Sequence, residues 1–261
     1  MKNQMKRLFN PPSTWAGSLV LARYSMLFIL GLALPEVFKN TLITFPASLL
    51  TAVCFKGFNN VVHECSHGAF SRSRPFNTWV GKILCIPLFM DFDSYKKEHA
   101  SHHQYLGNYK KDIDFQAREI LRHDQPFTLR RVLADIVTLR FGWLYWPRLN
   151  LKNRAHWLVM VPQASLIFIL YWSGAKYALL TLTLAQVLFL PLLRYLIDIV
   201  DHGGLYKEGI DEIHKSRNFI VESPLLRGIF FPRNDCYHLI HHLYPNLTPP
   251  SFKPATKARS A

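Results

Sequence analysis

Histidine is the residue type whose spacing in this chain points most directly to chemistry. Eight of the 12 histidines fall in three short boxes. His63 and His67 stand at i, i+4 in HECSH. His99, His102 and His103 read HASHH, and His238, His241 and His242 read HLIHH. On a helix, residues three and four apart share a face, so each box can aim two or three imidazoles at one point. Neutral imidazole ligates iron, zinc, copper and nickel. Eight ligands exceed what one zinc ion uses, so the set suits two metal ions. The boxes are poor in carboxylates, which separates them from the Glu/His sites of soluble di-iron bundles. His202, in DIVDHGG, is a ninth candidate, with Asp198 one turn earlier on the same face. His123, His156 and His214 have no companions and read as ordinary capping or surface residues.

The first box also matches HExxH, the helix of zinc proteases, with Glu64 as general base. A protease needs one further ligand and leaves both HxxHH boxes without a purpose. A metal- or proton-handling transporter is another class, but it would hold its polar ligands near the bilayer midplane. These histidines lie at the ends of apolar stretches.

Those stretches are the elements that must position the boxes. Four stand out: about 18–38, about 41–62, about 156–172 and about 177–200. Each approaches the ~20 residues that a helix needs to cross a ~30 Å hydrocarbon core. The links at Lys39-Asn40 and Ser173–Lys176 are short, which predicts antiparallel pairs. The expected fold is all-α and integral to a membrane, with four transmembrane helices in two hairpins and a helical cap carrying the metal site. The whole chain, 1–261, reads as a single domain with its core at about 18–250.

Charge sets the expected orientation. Residues 63–155 hold 15 Lys and Arg, the tail after Val200 holds 8, the first 17 residues hold 3, and the two tight links hold one each. Basic residues mark the cytoplasmic side, so both termini, the middle segment and all three boxes are expected there. Arg23, Lys56, Arg194 and Asp198 lie toward the cytoplasmic ends of their stretches, where long side chains reach for water. The opening MKNQMKR reads as the start of an uncleaved first helix. Residues 79–92 are too short to span and read as interfacial or re-entrant. Residues 127–149 mix Leu, Val and Trp with Arg like a helix lying on a membrane surface. The tail from Pro249 is expected to be loosely ordered.

Only 18% of the chain is charged and 49% is apolar, which excludes a disordered chain. The mean hydropathy is a modest +0.05, so the apolar stretches are diluted by a basic remainder. The net charge of +14 suits an anionic membrane surface or an acidic protein partner; nucleic acid is not the expected partner. Four cysteines without a CxxC pair read as free thiols.

Three boxes around apolar hairpins, in HECSHGAF (63–70), HASHHQYLGNYKKDID (99–114) and NDCYHLIHHLYP (234–245), resemble the membrane fatty acid desaturase and hydroxylase superfamily. The resemblance covers about 18–250. It implies a non-haem centre of two iron ions that uses O2, with His63, His67, His99, His102, His103, His238, His241 and His242 as ligands. His202 matches the further histidine that precedes the last box in acyl-CoA desaturases. Asp198 stands where those enzymes have a water-bridging Asn. Asp112 and Asp114 resemble the acidic pair after the second box and would orient ligating imidazoles.

The HxxxH first box resembles acyl-lipid desaturases and carotenoid oxygenases. The implied activity is introduction of a double bond into a fatty acyl chain. Hydroxylation or ketolation of a lipid or carotenoid is the alternative, and the HExxH zinc protease a remote one. The implied partners are the membrane, a lipid or acyl substrate and an external electron donor, ferredoxin or cytochrome b5, since no fused cytochrome b5 domain fits in this length. The implied setting is a bacterial inner membrane or an endoplasmic-reticulum-type membrane, with the catalytic face cytoplasmic.

Overall fold

The computed structural model describes residues 9–118, 124–146, 154–205 and 211–252. The expectations for MKNQMKR, His123, Arg148, Leu149 and the tail beyond Phe252 lie outside the described residues. Among the described residues every regular element is helical.

Local chemistry fixes where the long helices begin. Ser13 Oγ accepts from the Ala16 N–H to open α1 (Thr14–Phe38). That helix ends at Lys39, whose φ of 48° turns the chain back. Asn40 Oδ1 then accepts from the Leu42 N–H at 2.8 Å and opens α2 (Thr41–Ser66). Such caps satisfy N–H groups that have no partner inside the helix. Ser73 opens α3 (Arg74–Cys85) and Asp91 opens α4 (Phe92–Tyr105), the helix of the second box. Two short cap helices, α5 (Ile113–Arg118) and α6 (Leu129–Val137), follow, then α7 (Gly142–Tyr145). The second pair is α8 (Arg154–Trp172) and a long helix built from α9 (Lys176–Leu184), a π turn (Ala185–Phe189) and α10 (Leu190–His202). The chain closes with α11 (Pro224–Phe230), a kinked 3-10 segment (Pro232–Tyr237) and α12 (His238–Leu243), the third box.

Three helices, not four, are long and apolar enough to cross a membrane: Thr14–Phe38, Thr41–Ser66 and Lys176–His202. This corrects the expectation of four spans. The remaining apolar helix, His156–Trp172, is shorter than these three and stands at the low end of the ~17–25 residues that can span; it carries the chain from the histidine end of the bundle to the link at Lys176. With three such helices the chain is an integral, multi-pass membrane protein with a helical cap that bears the histidines.

α2 is the spine of the molecule. Cys54, Phe55, Phe58, Val61 and Val62 are buried between Tyr24 and Phe28 of α1 and Leu182, Phe189 and Leu193 of the last span. A Cβ on Gly57 would stand 2.3 Å from the Tyr24 ring, so only glycine lets α1 approach this closely. In contrast, Leu158, Phe168, Ile169 and Trp172 of α8 are exposed, an apolar surface suited to lipid.

The amphipathic stretch after residue 127 lies against the last span. Leu129, Leu133, Val137 and Trp143 face outward. The polar side is pinned inward: Tyr195 donates to Asp135 at 2.7 Å, Tyr145 donates to Asp198, and the Trp146 indole donates to the Val187 carbonyl at 2.7 Å. Val187 belongs to the π turn. A π turn widens the helix by one residue and rotates everything after it, including Asp198 and His202, relative to α9.

Glu36 fixes which ends of the spans meet. Its carboxylate, near the end of α1, accepts from the backbone N–H groups of Tyr177 (3.0 Å) and Ala178 (3.2 Å) at the start of the last span. A carboxylate is favourable at a helix N-terminus. Both tight links therefore share one end of the bundle, and His67 and His202 close the spans at the other. Cysteines introduced at Lys39 and Lys176 should react with an impermeant maleimide from one side of sealed vesicles, and a cysteine at Lys110 from the opposite side. The native cysteines 54, 65, 85 and 236 are buried and should stay silent. Labelling of all three positions from a single side would refute this arrangement.

Candidate metal centre

Nine histidines from four separate segments converge in two groups. His63, His67, His99, His103 and His241 form one, and His102, His202, His238 and His242 form the other. Within each group the possible ligand nitrogens all lie within 4.8 Å of one another. The i, i+3, i+4 spacing divides α4 between the groups: His99 and His103 face one and His102 the other. α12 divides likewise, with His241 in the first group and His238 and His242 in the second. His156 lines the adjoining cavity and His214 ends a short 3-10 helix; neither belongs to a group.

The Nε2 atoms make the contacts. In the larger group His67 to His99 is 2.8 Å, His99 to His103 3.0 Å and His103 to His241 2.9 Å. The His63 ring stands over them, 4.2 Å from that of His241 and 4.4 Å from that of His99 between centroids. In the smaller group His102 to His202 is 3.3 Å, His202 to His238 2.8 Å and His238 to His242 3.0 Å. Ligands about 2.1 Å from one ion stand about 3 Å apart in cis positions. The observed separations match that value, and the donor set is wholly imidazole. The two groups fit a non-haem di-iron centre.

Two rings of the smaller group, His102 and His202, have their outer nitrogens hydrogen-bonded. His102 Nδ1 lies 3.1 Å from Asp112 Oδ2, which also accepts from the Gly107 N–H, while Asp112 Oδ1 accepts from the Phe115 N–H. Burial opposes the charge on Asp112, but these bonds outweigh it and hold the carboxyl below its ordinary range. An ionised Asp112 accepts a hydrogen bond from the His102 Nδ1–H, which leaves the Nε2 lone pair for metal. Asp114 is more distant, 3.9 Å from the same nitrogen. The Lys215 carbonyl lies 3.0 Å from His202 Nδ1. Asp201 approaches His238 Nδ1 at 3.5 Å. Asp198 stands instead against the Tyr145 hydroxyl on the cavity wall and belongs to neither group.

Several neighbours escaped the sequence reading. Asp201 adjoins His202 in DIVDHGG, yet the i−4 rule favoured Asp198. Tyr95, one turn before His99, stacks on its ring at 5.5 Å and 5°. Burial pushes its phenol far above the ordinary range, so it remains protonated. Glu64 is not aimed at a reacting water. It receives both arms of Arg233, Nε at 2.7 Å and a terminal nitrogen at 2.5 Å. Lys56 does not reach for water either, because it is buried and pairs with Asp235 at 2.5 Å. Ion pairs inside an apolar bundle are disfavoured unless each charge is matched. The partners of both lie in one kinked loop, Arg233–Asp235, that no spacing rule links to α2.

Burial holds the His67 imidazole down to about 4, and burial with neighbouring imidazoles holds His103 down to about 3. His99, His238, His241 and His242 lie well below 6.5 for the same two reasons. At neutral pH these rings are uncharged and need release no proton to bind a metal. Bound iron should accordingly stay constant from pH 8 to about 5 and be lost below about pH 4, read by metal analysis after equilibration. In the metal-free chain, acid from pH 6.5 toward about 4 should destabilise the fold, because only the unfolded chain takes up protons in that window. Half-release of iron near pH 6.5 would show that the rings titrate as exposed histidines.

Residues 40–258 match the fatty acid desaturase family. The chain is 26% identical over 149 residues to a sn-1 acyl-lipid omega-3 desaturase (ferredoxin) of Synechocystis, covering 57% of this chain and 40% of the relative. It is 30% identical over 152 residues to a sphingolipid delta(4)-desaturase of Drosophila melanogaster, covering 54% and 41%. It is 23% identical over 228 residues to a dihydrorhizobitoxine desaturase of Bradyrhizobium elkanii, covering 77% and 63%. The chain thus spans less than two thirds of the length of each of these relatives. With the match across most of its length and nine imidazoles gathered in two groups at the end of apolar spans, the chain belongs to the fatty acid desaturase family.

Proposed function

We propose that this chain introduces a double bond into the acyl chain of a membrane lipid. The observation that carries the reading is a cavity of about 460 Å³ that reaches histidines of both groups, His63 and His99 of one and His102, His202 and His238 of the other. A hydrocarbon lying there would present adjacent carbons to both metal positions. The nine histidines are the proposed ligands of two irons, and the bound irons would supply the activation of O2. Loss of two hydrogens from neighbouring carbons, with one O2, two electrons and two protons, gives the alkene and two waters.

The residues of the chain bind and orient. Leu88, Phe89, Met90 and Ile197 offer an apolar wall for the hydrocarbon, while Arg194 and Glu98 suit the polar part of a lipid. Holding the reacting carbons at the right distance is a large part of such catalysis. Asp112, Asp201 and the Lys215 carbonyl would fix their imidazoles with Nε2 facing the metal. Glu64 is occupied by Arg233, and His63 and His67 share their site with three other rings. That arrangement does not fit a zinc protease.

The basic middle segment supports a cytoplasmic position for the histidine end, where a soluble electron donor could reach it. The +14 charge suits an acidic redox protein, and the Synechocystis relative is named with ferredoxin. Cells that express the chain should gain an unsaturated acyl product in their lipid profile. His241→Ala should abolish it, because this ring joins the third box to the first. A product carrying a new hydroxyl, with no new double bond, would replace desaturation by hydroxylation. An active His241→Ala variant would remove the metal reading altogether.

A further inference from the structure

The two histidine groups are held in place by different means. Two of the four rings in the smaller group are hydrogen-bonded on their outer nitrogen, His102 to Asp112 and His202 to the Lys215 carbonyl, and Asp201 approaches that of His238 at 3.5 Å. Among the described residues, the ring hydrogen-bond contacts of the larger group run only between the Nε2 atoms of His67, His99, His103 and His241, and the His63 ring packs on its neighbours. Ring orientation in the larger group must come from elsewhere.

The buried fork between Glu64 and Arg233 is the feature placed to supply it. Glu64 lies between His63 and His67 on α2, with its side chain 6% exposed, and Arg233 is 15% exposed. The fork has two parallel bonds, a geometry that fixes direction as well as distance. Arg233 and Asn234 adopt left-handed φ values of 67° and 60°, which L residues keep only where their surroundings impose them. The surroundings do so here. Asn60 of α2 donates to the Pro232 carbonyl at 2.6 Å, Lys56 of α2 pairs with Asp235 at 2.5 Å, and Asn234 donates to the Pro249 carbonyl at 3.2 Å. The loop that leads into α12 is therefore locked onto the helix that carries the first box. The ring that α12 contributes beside His63 and His67 is His241.

We propose that Glu64 and Arg233 are positioning residues for the five-histidine metal position, setting where His241 enters it, while the four-histidine position keeps its ion without them. This rests on the two-iron reading above. Removing one partner alone strands a buried charge and tests the fold as much as the site. The informative variant is the double substitution Glu64→Leu with Arg233→Met, which removes both charges together.

The measurement is iron(II) bound per chain after anaerobic reconstitution in mild detergent, with elution volume and thermal unfolding as controls and Mössbauer spectra to separate the positions. The wild-type chain should bind about two irons, and the folded double variant about one, with a single site signature. Arg233→Lys keeps the charge and loses the fork; it should fold and also fall below wild-type occupancy. If the double variant does not fold, Arg233→Lys alone decides the matter. Two irons in a folded double variant, or in Arg233→Lys, would overturn the proposal by reducing the pair to charge balance. Loss of both irons together from a folded variant would overturn it too, because the fork would then serve the whole centre. A wild-type chain that binds fewer than two irons would undo the two-iron reading itself.

Discussion

Nine imidazole nitrogens must be brought to two points with their lone pairs facing inward, and the rest of the structure answers to that requirement. Without a metal such a gathering is unfavourable, since lone pairs face one another and any proton taken up meets other rings. Burial turns this to use by keeping the rings neutral and ready to ligate. It also means that no single segment can build the site. α2 gives two rings, α4 three, the last span one and α12 three. Each needs its own rotation, so each segment is tied down near its histidines: Asp112 behind His102, the Lys215 carbonyl behind His202, and the Arg233–Asp235 loop before α12.

A membrane setting makes those ties strict. A charge inside an apolar bundle is tolerated only when matched, and breaking one buried pair costs ~3–5 kcal/mol. The first-box helix carries both Lys56 and Glu64, and their partners, Asp235 and Arg233, sit two residues apart in one loop. A slip of that loop along α2 would expose both pairs at once. The same arrangement that makes the charges tolerable therefore sets the register of the third box against the first.

The last span adjusts for the other side of the centre. Its π turn rotates Tyr195, Asp198 and His202 relative to the part that packs on α2. The cap closes over this turn through Trp146 and over the helix beyond it through Tyr145 and Asp135. Polar side chains of the cap thus meet the span while Leu129, Leu133 and Val137 remain outward, where lipid is the fitting neighbour.

By itself the sequence determined the chemistry and the class of fold. Spacing of three and four residues is a local property of a helix, so HECSH, HASHH and HLIHH announced converging imidazoles without any structure. Long apolar runs announced a membrane bundle for the same reason. The count of spans was less legible, because composition set residues 156–172 beside the longer stretches although that helix is shorter than the other three. Tertiary structure alone divided the histidines five and four, since the division depends on how α4 and α12 are rotated against α2 and the last span. It also decided that Asp201 approaches His238, because a contact between the last span and α12 depends on how the two helices are set against one another and not on spacing within either. The pairing of Glu64 with Arg233, 169 residues apart, was equally hidden: partners across that distance are chosen by packing, and the sequence shows only two charges.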